Sequence, residues 1–235
     1  MADFGVPVQK IYPAPVTAPF PLPRALVVRP ASYSPCQYDM ENDWSAAAFF
    51  CVAAAIGKEP LCLRGLRQKS LQADAAIVPL LKQMGAKIEI NATKMIFFPS
   101  ELVGIEADMS NSPDLVPALA VAAACAKTKS KLKNISHLRH KESDRIASVA
   151  DALCAAGVKV ETEENALTIE PCFQFRQGPV HILTQNDHRI AMSMILLTLV
   201  GCNICLDNPG CVKKSFPGFW QEWEKYGSRN TTYCQ

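Results

Sequence analysis

Residues 187–200 read Asp187-His-Arg-Ile-Ala-Met-Ser-Met-Ile-Leu-Leu-Thr-Leu-Val200. After its charged opening the segment is apolar on every helical face, so as a helix it has no solvent side and must be buried. Two other segments open in the same way, Asp43-Trp-Ser-Ala-Ala and Asp114-Leu-Val-Pro-Ala. The three aspartates stand 71 and 73 residues apart. A lysine follows each one, Lys69 after 26 residues and Lys141 and Lys214 after 27. Ser70, Ser143 and Ser215 lie within two positions of those lysines, and Gly85, Gly157 and Gly227 close the units. Three series in phase make a repeat of about 72 residues.

Each unit holds two kinds of helix. The first is apolar all round (46–56, 115–126, 190–200) and the second is amphipathic. Ile146, Val149, Ala150, Leu153 and Cys154 keep the i, i+3, i+4, i+7, i+8 spacing, and Ile77, Leu80, Leu81 and Met84 repeat it. A weaker third copy runs over 219–226. Short strand-like runs follow the first helices (61–66, 131–135, 203–206) and the second (87–90 and 94–98, 158–162 and 166–170). The unit reads helix, strand, helix, strand, strand, which predicts three sheets around three buried helices in an α+β architecture.

Before the repeats, the first 35 residues carry 8 of the 17 prolines, among them Pro13, Pro15, Pro19 and Pro21. They forbid a helix and confine any strand there to an edge. Across all 235 residues, 49% are apolar and 20% charged, a globular composition. A net charge of +2 gives no global field for nucleic acid or a membrane surface. No apolar run reaches the ~20 residues that span a bilayer. The N-terminus lacks the basic-then-apolar order of a secretion signal. The 10 cysteines are scattered through apolar segments, which suggests reduced thiols and a cytoplasmic setting. Cys202, Cys205 and Cys211 alone have metal-like spacing, and with no fourth ligand nearby they read as small hydrophobes, so no metal is expected.

The charged residues gather at the helix starts. An aspartate there caps free N–H groups. Capping suffices for Asp43, but Asp187 is followed by His188 and Arg189 on an otherwise apolar helix, which aims a polar end at something. The run Arg139-His-Lys-Glu-Ser-Asp-Arg145 alternates in sign, and Lys141 and Arg145 would share a face if the helix began that early. Should helix starts from different units converge, Arg145, Arg189 and Lys214 make an anion site for phosphate or carboxylate. Asp114 and Glu142 supply acid–base capacity beside it.

The runs Leu138-Arg-His-Lys-Glu-Ser-Asp-Arg145, Asn186-Asp-His-Arg-Ile-Ala-Met192 and Lys214-Ser-Phe-Pro217, with Asp43, Ser45, Ala46 and Pro113-Asp114, resemble the signatures of the EPSP synthase (3-phosphoshikimate 1-carboxyvinyltransferase) family. The resemblance covers nearly the whole chain. It implies a pseudo-threefold prism of βαβαββ units, one of the family's two lobes. Residues 1–35 would be a remnant of the N-terminal lobe and hinge, and 36–235 the C-terminal lobe, with repeats at about 43–99, 114–170 and 187–235.

The implied activity is transfer of the enolpyruvyl group of phosphoenolpyruvate to the 5-hydroxyl of shikimate 3-phosphate, in the shikimate pathway to chorismate and aromatic amino acids. No cofactor is implied. By the same resemblance Asp114, Lys141 and Glu142 are catalytic. Arg145, Arg189, Lys214 and His188 bind phosphoenolpyruvate, while Asp114, Lys141 and His137 bind shikimate 3-phosphate. Some family members carry asparagine where this chain has His137. The resemblance also implies that the missing N-terminal lobe must complete the site, so that the chain alone turns over negligibly. Two alternatives stand beside it: a transferase acting on UDP-N-acetylglucosamine, and a non-catalytic lobe that needs a partner chain.

Overall fold

The computed structural model describes residues 1–12, 23–91 and 93–227. Pro13, Pro15, Pro19 and Pro21, and the third repeat beyond residue 227, lie outside the described residues. Two compact units emerge, Met1–Met40 and Glu41–Gln235. In the first, β1 (Val8–Ile11) pairs antiparallel with β2 (Ala25–Val28), giving two edge strands of mostly exposed residues.

The second unit carries the repeats. The first runs α1 (Trp44–Ile56), β3 (Leu61–Arg64), α2 (Ile77–Gln83), β4 (Ile88–Ile90), β5 (Lys94–Phe97). The second runs β6 (Glu106–Asp108), α3 (Val116–Ala124), β7 (Ser130–Lys133), α4 (Arg145–Ala155), β8 (Val160–Thr162), β9 (Ala166–Ile169). The third runs β10 (Pro179–Ile182), α5 (His188–Met194), β11 (Asn203–Leu206), α6 (Phe219–Gly227). The helix–strand–helix order recurs three times, and in the first two repeats a pair of strands follows.

The sheets keep the same logic. Order β3-β5-β4 in the first repeat matches β7-β9-β8 in the second, antiparallel throughout. In addition β6 lies parallel to β7, and β10 parallel to β11. These leading strands were invisible to the apolar pattern and enter only through the βαβαββ resemblance. Glu106–Asp108 reads Glu-Ala-Asp, poor strand formers held by the ladder to β7, and β10 opens on Pro179, as an edge strand can.

The apolar helices form the core as expected. All nine residues of α3 are buried, and α1 and α5 pack against it. The third apolar segment departs from a single helix: α5 ends at Met194, and a 3-10 stretch, Ile195–Val200, tightens into Gly201. Gly201 holds φ 95°, a left-handed stop that glycine adopts without strain. No helix among the described residues is long and apolar enough to cross a membrane.

Two local expectations are corrected. Asp114 does not cap α3. It lies within a 3-10 turn, Pro113–Leu115, while the helix begins at Val116 with Pro117 in its first turn, where a missing N–H costs nothing. Lys141 and Arg145 do not share a helix face either. Asp144 caps α4 by accepting from Ala147 N–H at 3.1 Å, so the helix starts at Arg145 and Lys141 stays in the loop before it.

Candidate active site

The centre of the site is one buried arginine. Arg145, the first residue of α4, is 1% exposed. Burial of a guanidinium is tolerated only with charged partners, and here three carboxylates surround it. Its Nε donates to Asp187 Oδ2 at 2.7 Å, Nη1 to Asp114 Oδ1 at 2.6 Å, and Nη2 to Glu142 Oε2 at 2.6 Å. Asp187 is wholly buried, accepts from Ser143 Oγ at 3.1 Å, and caps α5 through Arg189 N–H at 2.9 Å. One side chain thus ties the start of α5 and the turn before α3 to the start of α4.

Around this pair the other charges interlock. Arg189 Nη2 lies 3.1 Å from Asp114 Oδ2, and Lys141 Nζ 3.7 Å from Asp114 Oδ1. Lys214 Nζ, from the 3-10 turn Pro209–Lys214, donates to Glu142 Oε1 at 3.0 Å. On the far side Asp74 approaches Arg189 Nη1 at 3.9 Å. Four cations therefore face four carboxylates. Arg145, Arg189 and Lys214, expected to form an anion site, are joined in one network in which each is already paired with a carboxylate. All three nitrogens of Arg145 are engaged, so an incoming anion reaches it only by displacing Asp114 or Glu142. Lys214, whose side chain is 59% exposed, is the most open of the cations.

Protonation follows from these contacts. Burial by itself would raise the Glu142 carboxyl, but the hydrogen bonds from its own backbone and from Lys214, with the Arg145 charge, bring it down to about 2. Glu142 is thus anionic in the folded chain at any ordinary pH. Because its folded pKa lies below its normal 4.5, its contribution to stability is complete above about pH 4.5. That contribution is lost as pH falls toward 2. Glu142→Gln should accordingly flatten the acid limb of a stability–pH profile between those limits, measured by urea unfolding. Burial, then the Arg189 charge, holds the His188 imidazole below its usual range, so it is neutral near pH 7. Its Nδ1 is buried with no hydrogen-bond partner among the described residues.

Of the eight expected site residues, Asp114, Lys141, Glu142, Arg145, Arg189 and Lys214 are joined in this network. His188 sits at its edge, on the first turn of α5. His137 is exposed on the 3-10 turn Ser136–His140 and lies outside the network. Asp187, Ser143 and Ser45, which stand in the motifs without a site role assigned to them, also belong to the cluster, as does Asp74, which no motif contains. A cavity of about 600 Å³ between α1, β3 and α6 is lined by none of the eight. No group of three or more His, Cys, Asp or Glu among the described residues is arranged to hold a metal ion.

The family model of EPSP synthase (3-phosphoshikimate 1-carboxyvinyltransferase) matches residues 20–223. The chain belongs to the EPSP synthase family. A 3-phosphoshikimate 1-carboxyvinyltransferase of Dehalococcoides mccartyi is 39% identical over 202 residues, 86% of this chain and 47% of the relative. That of Methanosphaerula palustris is 37% identical over 94% of this chain and 49% of its own. The chain spans about half the length of the curated relatives it matches. Among solved structures, EPSP synthase from Acinetobacter baumannii superposes with a TM-score of 0.74 at 25% identity, covering 95% of this chain and 52% of that one. The enolpyruvyl transferase NikO from Streptomyces tendae gives 0.71 at 18% identity, a likeness of fold alone. The α+β lobe read from the repeats is thus an EPSP synthase-family fold.

Proposed function

We propose that this chain supplies one half of an enolpyruvyl-transfer site, which moves the 1-carboxyvinyl group of phosphoenolpyruvate to the 5-hydroxyl of shikimate 3-phosphate and releases phosphate. The observation that carries this reading is the convergence of motif residues from the second and third repeats on Arg145, with acids and cations in one cluster. Arg189 and Lys214 receive the carboxylate and phosphate of phosphoenolpyruvate, in exchange for their contacts with Asp114 and Glu142. Asp114, released from Arg189, takes the proton of the attacking hydroxyl. That oxygen bonds to the substituted carbon of phosphoenolpyruvate while the methylene gains a proton near Glu142. The tetrahedral adduct then loses the methyl proton and expels phosphate toward Lys214. Charge stabilisation by Arg145, Arg189, Lys141 and Lys214 is a large part of the rate.

The internal neutrality of the cluster favours a partner half. An anion entering this lobe alone must break an ion pair for each one it makes, so the net gain is small until further groups close over it. Residues 1–35 as a remnant of that N-terminal lobe, and 36–235 as the C-terminal lobe, fit the same reading.

The test joins the upstream half of the Dehalococcoides mccartyi relative to this chain and supplies phosphoenolpyruvate with each acceptor. Turnover with shikimate 3-phosphate and none with UDP-N-acetylglucosamine supports the proposal; the reverse overturns it. In the same joined enzyme, Arg189→Lys keeps the charge but loses the planar two-donor match to a carboxylate. The kcat/KM for phosphoenolpyruvate should fall by about 1–3 kcal/mol of transition-state binding, the scale of a charge-assisted hydrogen bond.

A further inference from the structure

Asp74 has no part in the chemistry above, yet it is one of the few buried carboxylates in the chain, 7% exposed. It sits in the 3-10 turn Ala73–Ala76 that leads into α2, within the first repeat, whereas the charged motifs belong to the second and third. A carboxylate left at that depth needs compensation. It receives a hydrogen bond from Ser45 Oγ at 2.5 Å, and the same oxygen faces Arg189 Nη1 at 3.9 Å. On its other side Arg189 meets Asp114, through Nη2 to Oδ2 at 3.1 Å and Nη1 to the backbone carbonyl at 3.4 Å. Ser45 and Arg189 also line a common cavity of about 20 Å³ with Asp43 and Ser215.

We propose that Asp74, held by Ser45, is a positioning residue that suspends the Arg189 guanidinium between two carboxylates and keeps it from collapsing onto Asp114. The reason is electrostatic balance. A guanidinium with Asp114 as its sole counter-charge would close to a two-donor pair with it. That would occupy the donors needed for a substrate carboxylate and tie up the base. Asp74, pulling from the opposite side, holds Arg189 short of that pair. The role rests on the proposed function, in which Arg189 receives phosphoenolpyruvate.

The charge on Asp74 is conditional. Burial pushes its carboxyl up, against the Ser45 hydrogen bond and the Arg189 charge that lower it, and Asp114 and Asp43 add to the rise. Those four groups, from α1 and its cap, the turn before α3, and α5, are the ones facing it. As pH falls through this raised value Asp74 is neutralised, and Arg189 loses the pull.

The experiment has two arms. In the first, the 235-residue chain alone is followed by arginine-selective NMR of the Arg189 side chain across pH. The expected result is a step on acidification, above the usual aspartate range, that vanishes in Asp74→Asn and moves to higher pH in Ser45→Ala. Ser45→Ala keeps the charge and serves if Asp74→Asn does not fold. In the second, the joined enzyme carrying Asp74→Asn should show a KM for phosphoenolpyruvate raised about five- to tenfold, with kcat within about twofold. An Arg189 signal and titration unchanged in the folded variants overturns the proposal, as does an unchanged KM. A wild-type joined enzyme without turnover would sink the functional reading instead, and the NMR arm would still decide the role of Asp74.

Discussion

Asp187→Ala should destabilise the second unit by about 3–5 kcal/mol, the scale for stranding one member of a buried ion pair. Asp187 is wholly buried, and four donors converge on it: Arg145 Nε and Nη2, Ser143 Oγ and Arg189 N–H. Without it, Arg145 keeps Asp114 and Glu142 but loses its most buried partner, and α5 loses its cap. The isolated cost of a lost cap is only about 1 kcal/mol, so a larger loss reports the buried charge. Arg145→Met with Asp187→Leu removes both charges and should recover most of the loss, because paired burial is itself expensive. The exposed pair Lys225–Glu222 is the control, worth under about 1 kcal/mol. Urea unfolding of the four proteins makes the comparison. A loss below about 1 kcal/mol for Asp187→Ala would mean that Arg145 is held by something other than this pair.

Asp114→Asn should have the largest effect on rate. In the joined enzyme it removes the proposed base, and general-base catalysis is worth about 10²–10⁴ in rate. The fold should suffer less. Asp114 caps no helix, its side chain is 30% exposed, and asparagine retains an oxygen that can accept from Arg145. A stability loss of about 1–3 kcal/mol is the scale of the weakened charge-assisted hydrogen bond. Phosphate release at saturating substrate, beside a thermal melt, separates the two effects. Asp114→Asn and Arg189→Lys should fail differently, the first in kcat and the second in KM for phosphoenolpyruvate. An Asp114→Asn enzyme that is slow only because it is unfolded would assign the residue to the scaffold.

Much of the fold is legible because burial leaves a periodic trace. The all-apolar helices and the paired runs after α2 and α4 follow from hydrophobic spacing within a dozen residues. The leading strands leave no such trace, since Glu106–Asp108 is a strand only by virtue of its ladder to β7. The cluster behaves in the same way. The motifs point to Arg145, Arg189 and Lys214 as cations, but apart from Glu142, three residues from Arg145, their partners lie far off in sequence, Asp187 42 residues from Arg145 and Asp114 31. Only the Glu142 pair is local enough to be read from the sequence. Asp114 looks like a cap by its position, and becomes a ligand of two arginines because Pro113 and Pro117 let α3 begin without it.

That pairing makes the central claim directly testable: the chain carries half of a transferase site, inert until a second half closes over it. Phosphate release from phosphoenolpyruvate and shikimate 3-phosphate is measured for the 235-residue chain alone and for the same chain joined to the upstream half of its Dehalococcoides mccartyi relative. The account predicts negligible release by the lone chain and sustained release, dependent on both substrates, once the halves are joined. Robust turnover by the lone chain, or none by the joined enzyme when it is folded, would contradict it.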